Sequence, residues 1–390
     1  MKKMKVLAVT GIRSEFDILF PIIDKLRQDN RFEIKLVLSG AHLSDWHGNL
    51  INQIKEDGFQ IADCIDTLLM TNRNTQRIKG VGLLTIGLSQ TVEREKPDLL
   101  FVIGDREESI ATALVGNYMN VLVAHFGGGD TVYGNADDPV RFAVSKLSHI
   151  HLTNAQVYAD NLIKNGEEIF RVFNVGNPAY KNIIDTTNLS LKEISDFLKF
   201  DISDGKYLVL LKHPLSSEKE DAFNQMKITL DVVESFCLEN NYKLIGIYPN
   251  TDPGSYDILD AIKAKENSPL IKFFKNIPRE YFINIMRNCK VLVGNSSMGI
   301  LEAPFYKIPV VNVGNRQMGR LNAGNVEFVN YDFKTIYSAI EKACFNENYL
   351  NEISLQLNPY GNGDAVEKIV DILLELDLSD NKWYVKKKLC

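Results

Sequence analysis

Val6-Leu7-Ala8-Val9-Thr10-Gly11-Ile12-Arg13 is a short apolar run that breaks at a glycine. It passes into Phe16–Arg27, where Ile18, Leu19, Ile22, Ile23 and Leu26 recur at helical spacing. An apolar strand without alternation, a tight turn and an amphipathic helix open a βαβ unit, whose parallel strands are covered on both faces. Working outward, Phe32–Leu38, Ile61–Ile65, Leu99–Ile103, Val121–His125 and His149–Thr153 read as further strands. Helices near Asn49–Asp57, Val81–Glu95, Ser109–Tyr118 and Val140–Ser148 separate them. After Gly176-Asn177-Pro178 a second series begins with Tyr207–Leu211, Tyr242–Tyr248, Ile271–Phe274, Val291–Val293 and Val310–Val313 as strands. Its helices are Ala222–Leu238 and Arg279–Arg287. Such alternation predicts α/β architecture: two doubly wound, Rossmann-like domains with a cleft between them. The expected domains are residues 1–177 and 178–364, then a C-terminal amphipathic helix and tail, 365–390, packing back on the first half.

The chain has 390 residues, length for two or three domains. Lys and Arg number 44 against 50 Asp and Glu, a formal charge of -6 that gives no broad electrostatic case for nucleic acid. Five scattered cysteines without a CxxC pair argue against a disulfide framework and a structural zinc site. The apolar run after the basic start is too short for a signal peptide or a membrane span. The expectation is a cytoplasmic protein with neither membrane nor nucleic-acid partner.

Residues able to do chemistry collect just beyond the strands. Gly11-Ile12-Arg13 joins a sharp turn to a guanidinium that forks onto phosphate. Asp105, in Gly104-Asp105-Arg106-Glu107, is placed either as a general base or as a helix cap. His125-Phe126-Gly127-Gly128-Gly129-Asp130 offers close backbone approach to a ligand, with Asp137, Asp138 and Arg141 following. Asp138-Pro139 also fits an N-cap followed by proline. Lys212-His213-Pro214 and Tyr248-Pro249-Asn250 end two strands of the second half. Gly294-Asn295-Ser296-Ser297 enters a helix reaching Glu302, a candidate ribose acceptor, and Arg316 and Arg320 lie on a later loop. Carboxylates on the first half and anion-binding groups on the second suit a nucleotide-sugar enzyme.

In combination these motifs resemble the hydrolysing UDP-N-acetylglucosamine 2-epimerases of bacterial sialic and legionaminic acid synthesis. The resemblance runs in order through Gly11-Ile12-Arg13, Gly104-Asp105-Arg106, His125 to His149, His213-Pro214, Pro249-Asn250, Gly294 to Ser297, Arg316 to Arg320 and Gly324-Asn325-Val326. It implies a glycosyltransferase-B-like architecture, no metal or other cofactor, and a homo-dimer or tetramer. It also implies loss of UDP across C1–C2 to give a glycal, then hydration to a free 2-epimerised sugar. Asp105 and Asp137 match acidic catalytic positions. Arg13, Arg106, His213, Asn250, Ser296, Ser297, Glu302 and Arg316 match nucleotide and diphosphate contacts, and Arg141 falls in the same set of binding residues.

Two positions depart from the pattern. The family's catalytic Glu in its HxEGG-type stretch is Gly127 here, and its Arg-His pair reads Arg141-Phe142. Asp130, three residues on, is the expected substitute carboxylate. The expected substrate is UDP-N-acetylglucosamine, giving N-acetylmannosamine. The competing readings are the UDP-linked 2,4-diacetamido-2,4,6-trideoxy sugar, a non-hydrolysing epimerase, a glycosyltransferase of the same fold, and a sensor without turnover.

Overall fold

The computed structural model describes residues 3–45, 50–69, 75–131, 137–250 and 252–385, and the chain divides into two compact units. The first runs to Thr131, resumes to Asn182 and takes back the chain from Tyr360; the second holds Ile183–Pro359. The strands of the first are β1 (Met4–Thr10), β2 (Phe32–Ser39), β3 (Ile61–Ile65), β4 (Leu99–Ile103), β5 (Leu122–Phe126), β6 (Ile150–Thr153) and β7 (Val172–Asn174). They form one parallel sheet in the order β3-β2-β1-β4-β5-β6-β7. The second unit repeats the plan with β8 (Tyr207–Leu211), β9 (Lys243–Ile247), β10 (Ile271–Phe274), β11 (Val291–Gly294), β12 (Val310–Val313) and β13 (Val326–Val329). Its order is β10-β9-β8-β11-β12-β13, again parallel. Both sheets are doubly wound, as the alternation predicts.

Each sheet has a point where strand order reverses, between β1 and β4 and between β8 and β11. There the outgoing connections leave to opposite faces and open a crevice at the carboxyl ends, where such sheets bind ligands. The loops meeting at these points carry Gly11 and Asp105 in the first unit, and His213 and Ser296 in the second.

The strands are apolar without alternation because both faces are covered. In β1, Val6 and Ala8 join one core and Leu7 and Val9 the other. In β8, Leu208 and Leu210 face one layer, and Tyr207, Val209 and Leu211 the opposite one. Helix Arg13–Gln28 buries Phe16, Leu19, Ile22, Ile23 and Leu26 on one stripe. Helix Leu191–Leu198 starts with a capping box: Ser190 Oγ accepts from the Glu193 amide at 3.2 Å, and Glu193 Oε2 accepts from the Ser190 amide at 2.8 Å.

Local readings fail at the margins. The helix expected from Val81 begins at Thr75, because Gly80 and Gly82 dilute the apolar pattern of its first turns. Helices Gln156–Lys164 and Ser255–Lys263 and edge strands β7 and β13 carry too weak a pattern to be anticipated. The helix expected from Asn49 starts at Ile51, and Asn49 itself lies outside the described residues. No described helix is long and apolar enough to cross a membrane.

The returning tail is built into the first unit. The Asn177 amide donates to the Tyr360 carbonyl at 2.8 Å. From helix Ala365–Glu375, Val366, Ile369, Val370 and Leu373 share a core with Leu19 and Ile22. Arg171, 1% exposed, donates to the carbonyls of His149 at 3.3 Å, Trp383 at 2.9 Å and Val385 at 2.8 Å, and to that of Lys382. Arg171→Ala leaves these acceptors short of a donor, so the unfolding transition of the first unit is expected to lose about 3 kcal/mol. Urea unfolding measures it, and a loss under about 1 kcal/mol would show that the tail is not held this way.

Candidate functional site

In the first unit the loops after β4 and β5 are joined by one buried guanidinium. Arg141, one turn into helix Asp137–Leu147, pairs through Nη2 with the Asp105 carboxylate. Its Nη1 donates to the Asp130 carbonyl at 2.7 Å and lies 3.4 Å from Asp130 Oδ2. A buried cation needs such compensation, and here two carboxylates supply it. His125 braces the same loops. Its Nε2–H donates to the Gly104 carbonyl at 2.8 Å, and Nδ1 faces Ser145 Oγ at 3.2 Å. Burial pushes its imidazole down to about 3, so the ring is neutral and holds the backbone at Gly104, next to Asp105.

At Gly127, φ is +88°, and a Cβ there would have Gly104 N as its nearest neighbour, at 3.8 Å. The position has room for a side chain, and the left-handed backbone is what disfavours one. Two acids that the motif reading passes over stand by the loops after β1 and β4, Glu15 with Oε1 3.3 Å from where a Cβ on Gly104 would lie and Glu108 against Gly11. Glu15 is buried in the first turn of helix Arg13–Gln28, and burial, with the charge of Glu108 added, raises its carboxyl well above the usual range. Glu108 packs against the Cα of Gly11 and accepts from Ser39 Oγ at 3.2 Å; burial and then Glu107 push it up too. An acid five residues beyond a strand end, in the first turn of the helix that follows, was the available signal for both.

In the second unit Asn295 is the hub. Its Oδ1 accepts from the His213 amide at 2.7 Å and its Nδ2 donates to the His213 carbonyl at 2.9 Å, tying the loops after β8 and β11. Its carbonyl accepts from Arg316 Nη1 at 3.2 Å and Gln317 Nε2 at 3.1 Å, drawing in the loop after β12. His213 is held neutral at about 3 by burial and then by Arg316. Its Nδ1 accepts the Asn250 amide at 3.1 Å, so the ring proton sits on Nε2, placed to donate to a ligand oxygen. Ser296 Oγ accepts from the Met298 amide at 3.3 Å.

The structure therefore gathers Asp105, Asp130 and Arg141 in the first unit, and His213, Asn250, Ser296 and Arg316 around the loops of the second. Ser297 precedes helix Met298–Leu301, and Glu302 follows it, half-buried. Arg13 pairs within its own helix with Asp17 at 3.6 Å, and Arg106 faces Glu107 at 3.7 Å. Asp137 opens its helix, and its side chain lies outside the described residues. Asn295 and Gln317 are loop-bridging positions that motif spacing left without a role, since each makes a carbonyl contact only in the fold. Among the described residues, no three His, Cys, Asp or Glu side chains group to hold a metal ion.

The neutral His125 has a consequence for acid stability. Its folded value near 3 lies below the ordinary 6.5, so between those values the unfolded chain binds a proton that the folded one does not. Stability falls as pH falls through that window. Glu15 and Glu108, with raised values, act in the opposite sense, so the comparison is between variants. His125→Asn is expected to flatten urea-derived stability against pH below about pH 6 by about 1.4 kcal/mol per pH unit. An unchanged slope would mean that His125 is charged in the fold.

With this geometry in place, the comparisons with known proteins agree with one another. The family model described as UDP-N-acetylglucosamine 2-epimerase matches residues 24–374. The UDP-N,N'-diacetylbacillosamine 2-epimerase (hydrolyzing) of Legionella pneumophila is 31% identical over 375 residues, 96% of each chain. The UDP-N-acetylglucosamine 2-epimerase of Neisseria meningitidis is 30% identical over 342 residues, 87% of each chain. A crystal structure of UDP-GlcNAc 2-epimerase from Neisseria meningitidis bound to UDP-GlcNAc matches with a TM-score of 0.80 at 20% identity, over 96% of this chain and 100% of that one. At that identity the likeness concerns the fold, which is glycosyltransferase-B-like in both. The doubly wound units, the order of the strand-end motifs and the matched length agree: the chain belongs to the UDP-N-acetylglucosamine 2-epimerase family.

Proposed function

We propose that this enzyme is a hydrolysing 2-epimerase, converting a UDP-linked 2-acetamido sugar and water into UDP and the free manno-configured sugar. The observation that carries hydrolysis is its 31% identity, across 96% of both chains, to a relative named as hydrolysing. UDP-N-acetylglucosamine is the proposed substrate, giving N-acetylmannosamine for sialic-acid-type synthesis. The same Legionella relative favours a second reading, the UDP-linked 2,4-diacetamido-2,4,6-trideoxy sugar. The enzyme is taken to work in the cytoplasm as a homo-oligomer.

The chemistry begins with removal of the C2 proton while the C1–O bond to UDP breaks, leaving a glycal. Water then adds at C1, and a proton returns to the opposite face of C2. Two carboxyl groups are needed, one to take a proton and one to give it. We assign this work to Asp105, Asp130 and Asp137, with Asp130 standing in for the family Glu at Gly127. Arg141 holds Asp105 and Asp130 in place, so that neither reorganises when positive charge develops at C1. Arg13, Arg106, His213, Asn250, Ser296, Ser297 and Arg316 are assigned to the nucleotide and its diphosphate, and Glu302 to the ribose. A neutral His213 with its proton on Nε2 stabilises the departing UDP by donating to a phosphate oxygen, at no cost in imidazolium desolvation.

Steady-state kinetics with both nucleotide sugars at matched concentrations tests the assignment through kcat/KM. A preference of about tenfold or more for UDP-N-acetylglucosamine is expected, and the reverse preference would transfer the function to the diacetamido sugar. Asp105→Asn and Asp130→Asn are each expected to lower kcat by about 100-fold or more while UDP inhibition changes little. Full turnover by Asp130→Asn would remove Asp130 from the chemistry.

A further inference from the structure

Lys212 is a buried cation at a strand end that the proposed reaction does not use. It follows β8 directly and is 1% exposed. Its Nζ donates to Tyr331 Oη at 3.0 Å and lies 4.5 Å from the centre of that ring. Tyr331 follows β13, three strand intervals away across β11 and β12. Neighbouring strands lie just under 5 Å apart, so the two side chains reach toward each other over about 14 Å. Their bond therefore passes over the carboxyl ends of β11 and β12, from which the Asn295–Ser297 and Asn315–Arg316 loops leave.

The loop after β12 is shaped around this bond. Gly314 has φ +88°, and a Cβ there would collide with Tyr331 Oη. The next residue, Asn315, donates through Nδ2 to Glu218 Oε1 at 3.1 Å, and Arg316 then reaches the Asn295 carbonyl. Charged or titratable groups face Lys212 from every side of this arrangement. Glu218 comes from segment Ser216–Asp221, Arg316 from the loop after β12, Tyr331 from beyond β13, and His213 is its chain neighbour.

We propose that Lys212 and Tyr331 form a strap across the strand ends that positions Arg316 for a nucleoside diphosphate, and that binding of the diphosphate draws a proton onto Lys212. The inference rests on the assignment of UDP to this unit. Burial brings the Lys212 amine down to about 7, with Arg316 adding to the fall and Glu218 opposing it. Slightly above neutrality the free amine is thus largely uncharged, and an anion beside Arg316 restores its charge. Affinity then rises as pH falls toward 7. Lys212 is a positioning residue: its hydrogen bond goes to Tyr331, against which Gly314 packs two residues before Arg316.

Titration calorimetry with UDP as the probe, at about pH 8 in buffers of low and high ionisation enthalpy, reads both parts. At that pH the terminal phosphate, with a pKa near about 6, is fully ionised and contributes no proton of its own. The wild type is expected to take up a substantial fraction of one proton. Lys212→Met is expected to abolish that uptake and to weaken UDP about tenfold, the scale of one charge-assisted hydrogen bond. Tyr331→Phe keeps the amine and loses the bond, so it is expected to weaken UDP about threefold or more while retaining uptake. If Lys212→Met binds UDP within about twofold of the wild type, the strap does not position Arg316. If Lys212→Met does not fold, Tyr331→Phe decides by the same threshold. Uptake of no proton by the wild type overturns the coupling alone. A wild type that binds no UDP overturns the strap's role together with the UDP assignment.

Discussion

Central strands covered on both faces leave a protein no sheet surface on which to do chemistry. In both units the apolar β1 and β8 bury alternate residues in opposite cores. Polar groups are thereby forced to the carboxyl ends, and the loops there have to be fixed by partners of their own. Each unit meets this demand with side chains that bridge loops. Arg141 joins the loops after β4 and β5 through Asp105 and Asp130. Asn295 joins those after β8, β11 and β12. Leaving a buried charge or amide half-satisfied costs more than the bond itself contributes, so these bridges fix geometry as well as stability.

The same constraint makes buried histidines neutral. His125 and His213 both fall to about 3 through burial. Each gives one nitrogen to the backbone, at the Gly104 carbonyl and the Asn250 amide respectively. A neutral ring with a fixed proton orients a loop or donates to an oxygen without bringing its own charge into the site. The buried acids Glu15 and Glu108 are raised for the matching reason, since burial first, and then a neighbouring acid, Glu108 for Glu15 and Glu107 for Glu108, disfavours the ionised form.

Most of the fold was legible because covered parallel strands leave a strong trace, apolar runs such as Leu99–Ile103 and Tyr207–Leu211 ending at a glycine or a polar turn. Strand order was not legible, because pairing is a long-range property. Nor were β7 and β13, whose edge positions ask for little burial. At the site, Asp105, His213, Ser296 and Arg316 stood out because a strand-end loop is where a charged or hydroxyl side chain is conspicuous. Asn295 and Lys212 did not. One acts through backbone carbonyls from neighbouring loops, and the other reaches across three strand intervals to Tyr331. Arg141 read as a ligand contact by its motif, whereas its described partners are Asp105 and Asp130.

The central claim concerns a proton and a bond: C2 exchanges with solvent while C1 loses UDP. Proton and phosphorus NMR of the purified protein with UDP-N-acetylglucosamine in deuterated water observes both at once. The account expects free N-acetylmannosamine carrying deuterium at C2, with UDP released in equal amount. Deuterated UDP-N-acetylmannosamine with no free UDP would contradict it and place the enzyme among the epimerases that keep the nucleotide attached.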